Sequence, residues 1–299
     1  MEIDWRRPEL SDKELITSYY RTYPSRNCER TFTNAYLWSR RYQVTFAVVE
    51  NTLVFRMGEN PYIFSHPTGE EEDVKRAIEV LRFYAKEHGE EFGLYNLTPE
   101  EFAELDSWYP GQFEIHYERD YADYVYETEK LISLQGKKLH AKRNHINKFK
   151  AENPNWTYEP MTKDNLEECF QMAILWCQEN GCREDEDKVA EMNVTLNSLR
   201  LFEELELVGG ILRVNKEMIA FTIGEELCPD TLVTHIEKAF ANVQGAYPMI
   251  NQQFALHACK DYQYINREDD TGSEGLRKAK LSYRPAFLVE KGIAKEKKI

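Results

Sequence analysis

This sequence predicts an α/β (α+β) protein of two domains, each a mixed sheet flanked by helices. Three observations lead there. The chain has 299 residues, too long for one ordinary domain and comfortable for two. Hydrophobic residues make up 42% and aromatics 13%, enough for real cores, which excludes global disorder. Segments with strand patterning alternate with segments of helical period, and the second half repeats the plan of the first with additions. The dividing line falls near residue 125, giving domains 1–125 and 126–299, although no Pro/Gly/Ser-rich linker marks it.

The elements follow in order. Ser11 to Tyr20 opens with SDKEL, whose Ser-x-x-Glu spacing suits a capped helix. QVTFAVVENTLVFRM reads as two strands around Glu50-Asn51, and NPYIFSHP as a third. In EEDVKRAIEVLRFYAKEHG, the residues Val74, Ala77, Ile78, Leu81 and Ala85 recur at helical steps and Gly89 is a stop. FGLYNLT is a strand, TPEEFAEL a short helix with Pro99 in its first turn, and FEIHYERDYADYVYET a strand-rich aromatic segment. EKLISLQGKKLHAKRNHINKFKAENP predicts one long helix, with Gly136 as its candidate break and Pro154 beyond its end. WTYEPM is a strand, and Asp164–Asn180 and about Glu186–Leu205 are helices. LVGGILRVN, MIAFTIGEEL and TLVTHIEKA are consecutive strands, the first two turning near Asn215-Lys216. A helix from about Gly245 to Cys259, a strand YQYIN, a short helix and a last strand AFLVEKG complete the chain.

Charge narrows the function classes. The net charge is −14, so the chain as a whole repels nucleic acid and anionic membranes unless its bases cluster. They do cluster: Lys130 to Lys150 holds seven Lys/Arg, two His and no acid. On a helix, Lys138, Lys142 and His145 share one face, and Leu139, Ile146 and Phe149 another. The pattern suits a phosphate-rich ligand: a nucleotide, tRNA or a lipid head group. The plain alternative is a solvated helix face. Arg143, Asn144 and Asn147 are further binding candidates, since Asn is a poor helix filler and more often makes specific hydrogen bonds. The six cysteines form no C-x-x-C pair and read as buried thiols in a reducing cytoplasm. MEIDWRRPEL carries no apolar stretch behind its charges and no apolar run reaches bilayer length, so neither a secretory signal nor a membrane span is expected, and the expected location is cytoplasmic.

Two further stretches carry candidate chemistry. In VQGAYPMINQQFALHAC, Gly245 sits at a helix entry directly after a strand, where backbone N–H groups can hold a phosphate or an oxyanion. Tyr247 and Asn251 are within reach of such a ligand; a plain strand-to-helix turn explains the glycine equally. In INREDDTGSEGLRKAKLSYRP, Thr271 and Glu274 have capping-box spacing and Pro285 ends the helix. The triplet Glu268-Asp269-Asp270 lies where a helix dipole favours carboxylates, and consecutive carboxylates alone do not make a metal cage, so no metal is expected. Phosphate-loop, dinucleotide, nucleophile-elbow and H-E-x-x-H motifs are absent from the sequence.

Together, DYVYETEKLISLQGKKLHAKRNHINKF, GAYPMINQQFA and INREDDTGSEGLRKAKLSYRP resemble the phosphatidylglycerol lysyltransferase C-terminal domain-like family, in a branch without the membrane-embedded flippase. The resemblance spans nearly the whole chain. It implies tandem GNAT-type acyltransferase folds, related to the Fem peptidyltransferases. It also implies transfer of an acyl or aminoacyl group, from acyl-CoA or aminoacyl-tRNA, to an amine or hydroxyl. The K-x-x-[FY]-x-P context of that family places a lysine at the transfer site, which implies such a role for Lys280, followed here by Tyr283 and Pro285. Arg143 and Asn144 match the family's K-R-N helix. The turn Ala241-Asn242-Val243-Gln244-Gly245-Ala246 has one glycine where a GNAT pyrophosphate loop has two, which weakens the case for CoA.

Amine attack on an activated ester or thioester needs no covalent nucleophile. It needs orientation, oxyanion stabilisation and a proton acceptor. Lys280 and the helix start at Gly245 are the oxyanion or phosphate candidates. Glu268, Asp269 and Asp270 are candidates to hold a cationic amino group, Arg277 an anionic one, and Tyr283 is either catalytic or core. The rival expectation is a non-catalytic GNAT-like module that binds tRNA, a nucleotide or a metabolite.

Overall fold

In the computed structural model, which describes residues 2–182 and 185–297, the chain folds as two units, Met1–Asp123 with Val289–Ile299 and Tyr124–Leu288. The sequence boundary near residue 125 lies two residues from the first crossing. The return of the C-terminus to the first unit is not visible in local patterning.

The first unit is built on a six-stranded sheet. Strands β1 (Thr45–Val49) and β2 (Thr52–Met57) form a hairpin, with Glu50 and Asn51 both at positive φ, 47° and 61°. This is the conformation a two-residue primed turn requires. β3 (Ile63–Ser65) pairs antiparallel with β2 and parallel with β4 (Gly93–Leu97). The crossover between these parallel neighbours is α3 (Glu71–Glu87), which buries Val74, Ala77, Ile78, Leu81 and Ala85, the stripe its sequence spacing predicts. α4 (Pro99–Trp108) begins on a reciprocal capping box: Glu101 N–H donates to Thr98 Oγ1 and Thr98 N–H to a Glu101 carboxylate oxygen. β13 (Gly292–Glu296) lies between β4 and β5 (Phe113–Tyr117), antiparallel to both. A Cβ on Gly292 would stand 2.8 Å from Ile115 Cδ1 and 2.9 Å from Tyr117 Cδ1, so a larger residue there would have to displace those side chains. α1 (Lys13–Thr22) follows a short 3-10 turn, and α2 (Phe32–Leu37) is capped by Thr31.

The second unit holds a seven-stranded sheet in the order β12-β6-β11-β10-β9-β8-β7. β6 is Asp123–Glu127, β7 Trp156–Pro160, β8 Val208–Val214 and β9 Glu217–Cys228; β10 is Thr231–Ala239, β11 Tyr264–Asn266 and β12 Phe287–Val289. β8, β9 and β10 form an antiparallel run, with Asn215 and Lys216 at φ 52° and 73° in the predicted turn. From β10 the chain crosses through α9 (Ala246–His257) to β11, which runs parallel to β10. A bulge falls between Thr234 and Ile236, which pair with Gly224 and Ile223, so His235 is the extra residue. The other helices are α5 (Thr128–Ser133), α6 (His140–Glu152), α7 (Leu166–Glu179), α8 (Glu186–Arg200) and α10 (Glu274–Leu281).

The long basic segment breaks at its candidate point: Leu134 at φ 48° and Gly136 at φ 92° separate α5 from α6. Two other local expectations change. Ser273, not Thr271, caps α10, because Asp270 already bonds Gly272 N–H and Ser273 N–H and folds Thr271 into a turn at φ 48°. The last predicted strand is two strands in different sheets. Among the described residues, no helix is long and apolar enough to cross a membrane.

Candidate functional site

The polar centre of the second unit forms where β10, α9, α6 and the segment after β11 meet. β10 is flanked by a strand on each side, and its two faces separate Glu237 from Lys238. Lys238 Nζ lies over the Trp176 ring of α7 at 3.9 Å and pairs with Glu191 of α8. Glu237 turns to the other face. It accepts from Arg267 Nη2 at 2.9 Å and from Asn251 Nδ2 of α9 at 3.2 Å. These three side chains are largely buried, and each neighbour of the carboxylate has one unused atom: Arg267 Nη1 and Asn251 Oδ1 are buried without a hydrogen-bond partner. A buried donor and a buried acceptor left open on one carboxylate are costly unless something fills them.

Lys142 of α6 stands beside this group. Its Nζ is 4.0 Å from the centroid of the Tyr283 ring, and Arg267 Cζ is 5.0 Å from that ring. Burial and then the Arg267 charge push the Lys142 amine down to about 8, against a smaller pull upward from Glu237. Burial is the largest single effect on Arg267 and lowers it, but Glu237 together with Tyr126 and Tyr283 outweighs it and keeps the guanidinium charged. Burial raises the Tyr283 phenol, so it stays neutral; the ring is core, edge-on to Tyr126 with centroids 6.4 Å apart.

The stretch around α10 serves this centre from behind. Lys280 is buried, and its Nζ donates to the carbonyl of Arg267 at 2.6 Å and to that of Asp269. It clamps the turn that presents Arg267. Asp270 is fully buried and accepts from Arg277 Nε at 2.9 Å, Arg277 Nη2 at 2.7 Å and the Tyr124 hydroxyl. Asp269 Oδ1 accepts from Thr271 N–H at 3.1 Å. Glu268 pairs with His235 Nδ1 at 2.7 Å, and Glu225 takes the other ring nitrogen at 2.8 Å. Burial alone would lower the His235 value; the two carboxylates overcome it and raise it to about 10, so the bulge residue is an imidazolium.

The remaining sequence candidates are dispersed. Lys138, Asn144 and Asn147 are exposed, with Asn144 Nδ2 against His140 Nε2 at 3.1 Å. Arg143 Nη1 donates to the carbonyls of Leu134 and Gly136, closing the end of α5. Gly245, at φ 87°, brings the start of α9 against α6: a Cβ there would lie 2.8 Å from the His145 carbonyl and 3.0 Å from Phe149 Cβ. In the turn before it, Val243 and Ala246 N–H already bond the Phe240 and Val243 carbonyls. Tyr247 hydroxyl accepts from Trp176 Nε1 at 3.2 Å. So the structure brings Lys142, Tyr283 and Asn251 together and adds Arg267 and Glu237, which sequence reasoning did not single out. A signal for Glu237 was present: a carboxylate inside the strand TLVTHIEKA needs a buried partner.

Two mixed sheets flanked by helices define an α/β chain, and its family points to the acyl- and aminoacyltransferases. The chain belongs to the family described as phosphatidylglycerol lysyltransferase, C-terminal, which matches residues 20–294. A conserved protein of unknown function from Bacteroides thetaiotaomicron is 38% identical, with TM-score 0.93 over 99% of this chain and 100% of that one. The C-terminal domain of a putative lysylphosphatidylglycerol synthetase from Agrobacterium fabrum shares the fold at TM-score 0.69 and 15% identity, over 96% of this chain and 92% of that one. L-PGS from Bacillus licheniformis shares it at TM-score 0.68 and 14% identity, over 100% and 95%. An uncharacterised protein of Mycoplasmoides gallisepticum is 24% identical over 178 residues, covering 58% of this chain and 56% of that relative.

Proposed function

We propose that the second unit transfers an acyl or aminoacyl group from an activated ester or thioester to an amine or hydroxyl. The observation that carries this is the pair of buried, unpartnered atoms, Arg267 Nη1 and Asn251 Oδ1, held on Glu237 beside a lysine with a lowered pKa. A donor aimed from a dry site suits the oxygen of a tetrahedral intermediate, and an acceptor beside it suits an amino N–H. At pH 7.5 a lysine of pKa about 8 is about one quarter neutral, enough to accept a proton from an attacking amine. In that step the acceptor nitrogen forms the new bond to the carbonyl carbon, its proton passes to Lys142 Nζ, and collapse of the intermediate expels the donor's oxygen or sulfur. Aminoacyl-tRNA fits the exposed bases at Lys138 and Lys148 on the same basic segment. Acyl-CoA is the other donor class.

The test is donor consumption. Purified protein is incubated with labelled aminoacyl-tRNAs and, separately, labelled acetyl-CoA, each with a panel of amines and hydroxyl compounds. Product is expected from one donor class, and Arg267→Gln should lower its rate about a hundredfold. No product from either class, or full activity in the Arg267 variant, overturns the reading. The non-catalytic alternative draws on one observation, the engagement of Lys280, Asp269 and Asp270 in internal bonds. It predicts a rise in melting temperature with intact donor and no turnover.

A further inference from the structure

Two segments from opposite ends of the chain meet inside the first unit. Cys28 lies between α1 and α2, and Lys291 lies just before β13, 263 residues further on. Asp123 joins them. Its Oδ1 accepts from the Cys28 thiol at 3.1 Å and from Lys291 Nζ at 2.8 Å, and its Oδ2 accepts from Cys28 N–H at 2.8 Å. Lys291 Nζ also stands 3.5 Å from Cys28 Sγ. The three residues are buried, with 2% of Cys28, 0% of Asp123 and 5% of Lys291 exposed.

A buried ion pair of Lys291 and Asp123 would fasten the two segments without any sulfur. What fastening does not require is a thiol against the amine. Burial raises the Cys169 and Cys259 thiols and makes them inert. Cys28 instead has a cation against its sulfur and a carboxylate on its thiol proton. That is the setting in which a thiol loses its proton and attacks peroxide. The sulfur is also held in place. Asp123 takes the Cys28 N–H, and Asn34 Nδ2 donates to the Cys28 carbonyl at 2.7 Å. Solvent is close: Lys291 Nζ lies 3.8 Å from Glu29 Oε1, and the Glu29 side chain is 49% exposed.

We propose that hydrogen peroxide couples Cys28 Sγ to Lys291 Nζ through one bridging oxygen, a covalent modification that locks β13 into the first unit. The reaction balances in two stages. The thiol and one peroxide give Cys28 sulfenic acid and water. Lys291 then passes its extra proton to Asp123, and its nitrogen bonds the sulfenic oxygen. The oxygen and the nitrogen each lose one hydrogen, and a second peroxide takes up both and leaves as two waters. The net change is one oxygen gained and two hydrogens lost. Sulfur and nitrogen at 3.5 Å are separated enough to take one atom between them, whereas a direct bond would need a larger closing movement. The bridge closes most of the chain into a loop, so it restricts the unfolded state and stabilises the folded one. It is independent of the transfer reaction proposed above.

Peptide mapping by mass spectrometry tests this. The reduced full chain is treated with hydrogen peroxide, quenched with catalase and digested. The Cys28 and Lys291 peptides should appear joined, about 14 Da above the sum of the two, and dithiothreitol should separate them. The oxidised protein should melt about 5 °C higher than the reduced one. Lys291→Arg keeps the charge beside Asp123 but lacks the amine, so its Cys28 should proceed to sulfinic acid with no joined pair. The wild-type map requires no variant, so it decides the question even if Lys291→Arg is unstable. Cys28 left as a thiol, Cys28 sulfinic acid beside an unmodified Lys291 in the wild type, or a joined pair in the Lys291 variant overturns the proposal.

Discussion

Asp270→Asn is the most informative single change for the stretch that supports the candidate site. Burial by itself would raise the Asp270 carboxyl. The Arg277 guanidinium, the Tyr124 hydroxyl and Gly272 N–H more than reverse this and hold it at about 2, against 3.8 for an ordinary aspartate. That difference corresponds to about 2 kcal/mol of native-state stabilisation. We treat it as a ceiling, because the Arg277 side chain is 31% exposed and water screens part of its charge. A depressed pKa stabilises fully above the unfolded value and is lost as pH falls through the folded one. The contribution is therefore complete at pH 7 and about half gone at pH 3. The amide keeps the size and one acceptor but has no charge to titrate. Urea unfolding at pH 7 should show the variant less stable by about 1–2 kcal/mol, and the gap should narrow by about 1 kcal/mol at pH 3. A gap below about 0.5 kcal/mol at pH 7, or one that does not change with pH, would refute the reasoning.

Two other perturbations follow from the same geometry. Gly245→Ala combines a positive φ with a Cβ 2.8 Å from a backbone oxygen, and should cost more than about 2 kcal/mol or separate α9 from α6, read as a lowered urea midpoint. His235 has its pKa raised to about 10 between Glu225 and Glu268, so its stabilisation is full below the unfolded value near 6.5 and disappears as pH rises through 10. The melting temperature should fall between pH 7 and pH 10, and His235→Gln should flatten that fall.

Most elements were legible because they rest on local patterning. The stripe of α3, the Thr98 box and the turns at Glu50-Asn51 and Asn215-Lys216 each need only neighbours in sequence. What was not legible depends on partners far along the chain. Nothing in GIAKE states that it pairs with β4 and β5, which lie well over a hundred residues earlier. The Thr271–Glu274 capping box failed for a tertiary reason too: Asp270 is held by Arg277 and Tyr124, and its bonds to the next backbone amides set the turn. At the candidate site, the motifs had named Lys142 and Asn251 for binding an anionic ligand and Tyr283 as either catalytic or core, and the structure groups the three. Arg267 passed unnoticed because its neighbours are acidic, yet it is the residue whose Nη2 holds the Glu237 carboxylate while its Nη1 stays open.

Lys280 then takes a different place from the one its motif implies. Its ammonium is spent on the Arg267 and Asp269 carbonyls, so whatever it contributes to transfer passes through the position of Arg267. Lys280→Met keeps the aliphatic stem and removes both bonds, which lets the Arg267 turn move away from Tyr283 and Lys142. A purely structural lysine would lower the melting temperature and leave the surviving activity with an unchanged pH profile. A positioning lysine does more: with the Arg267 charge withdrawn, one of the two forces depressing Lys142 is weakened, and the Lys142 pKa rises from about 8 toward the ordinary lysine value. The alkaline shift is read in the pH dependence of donor consumption, or directly as the titration of the Lys142 amine by NMR. A variant that is less stable but titrates at the wild-type value would confine Lys280 to the fold; a shifted titration ties it to the chemistry through Arg267.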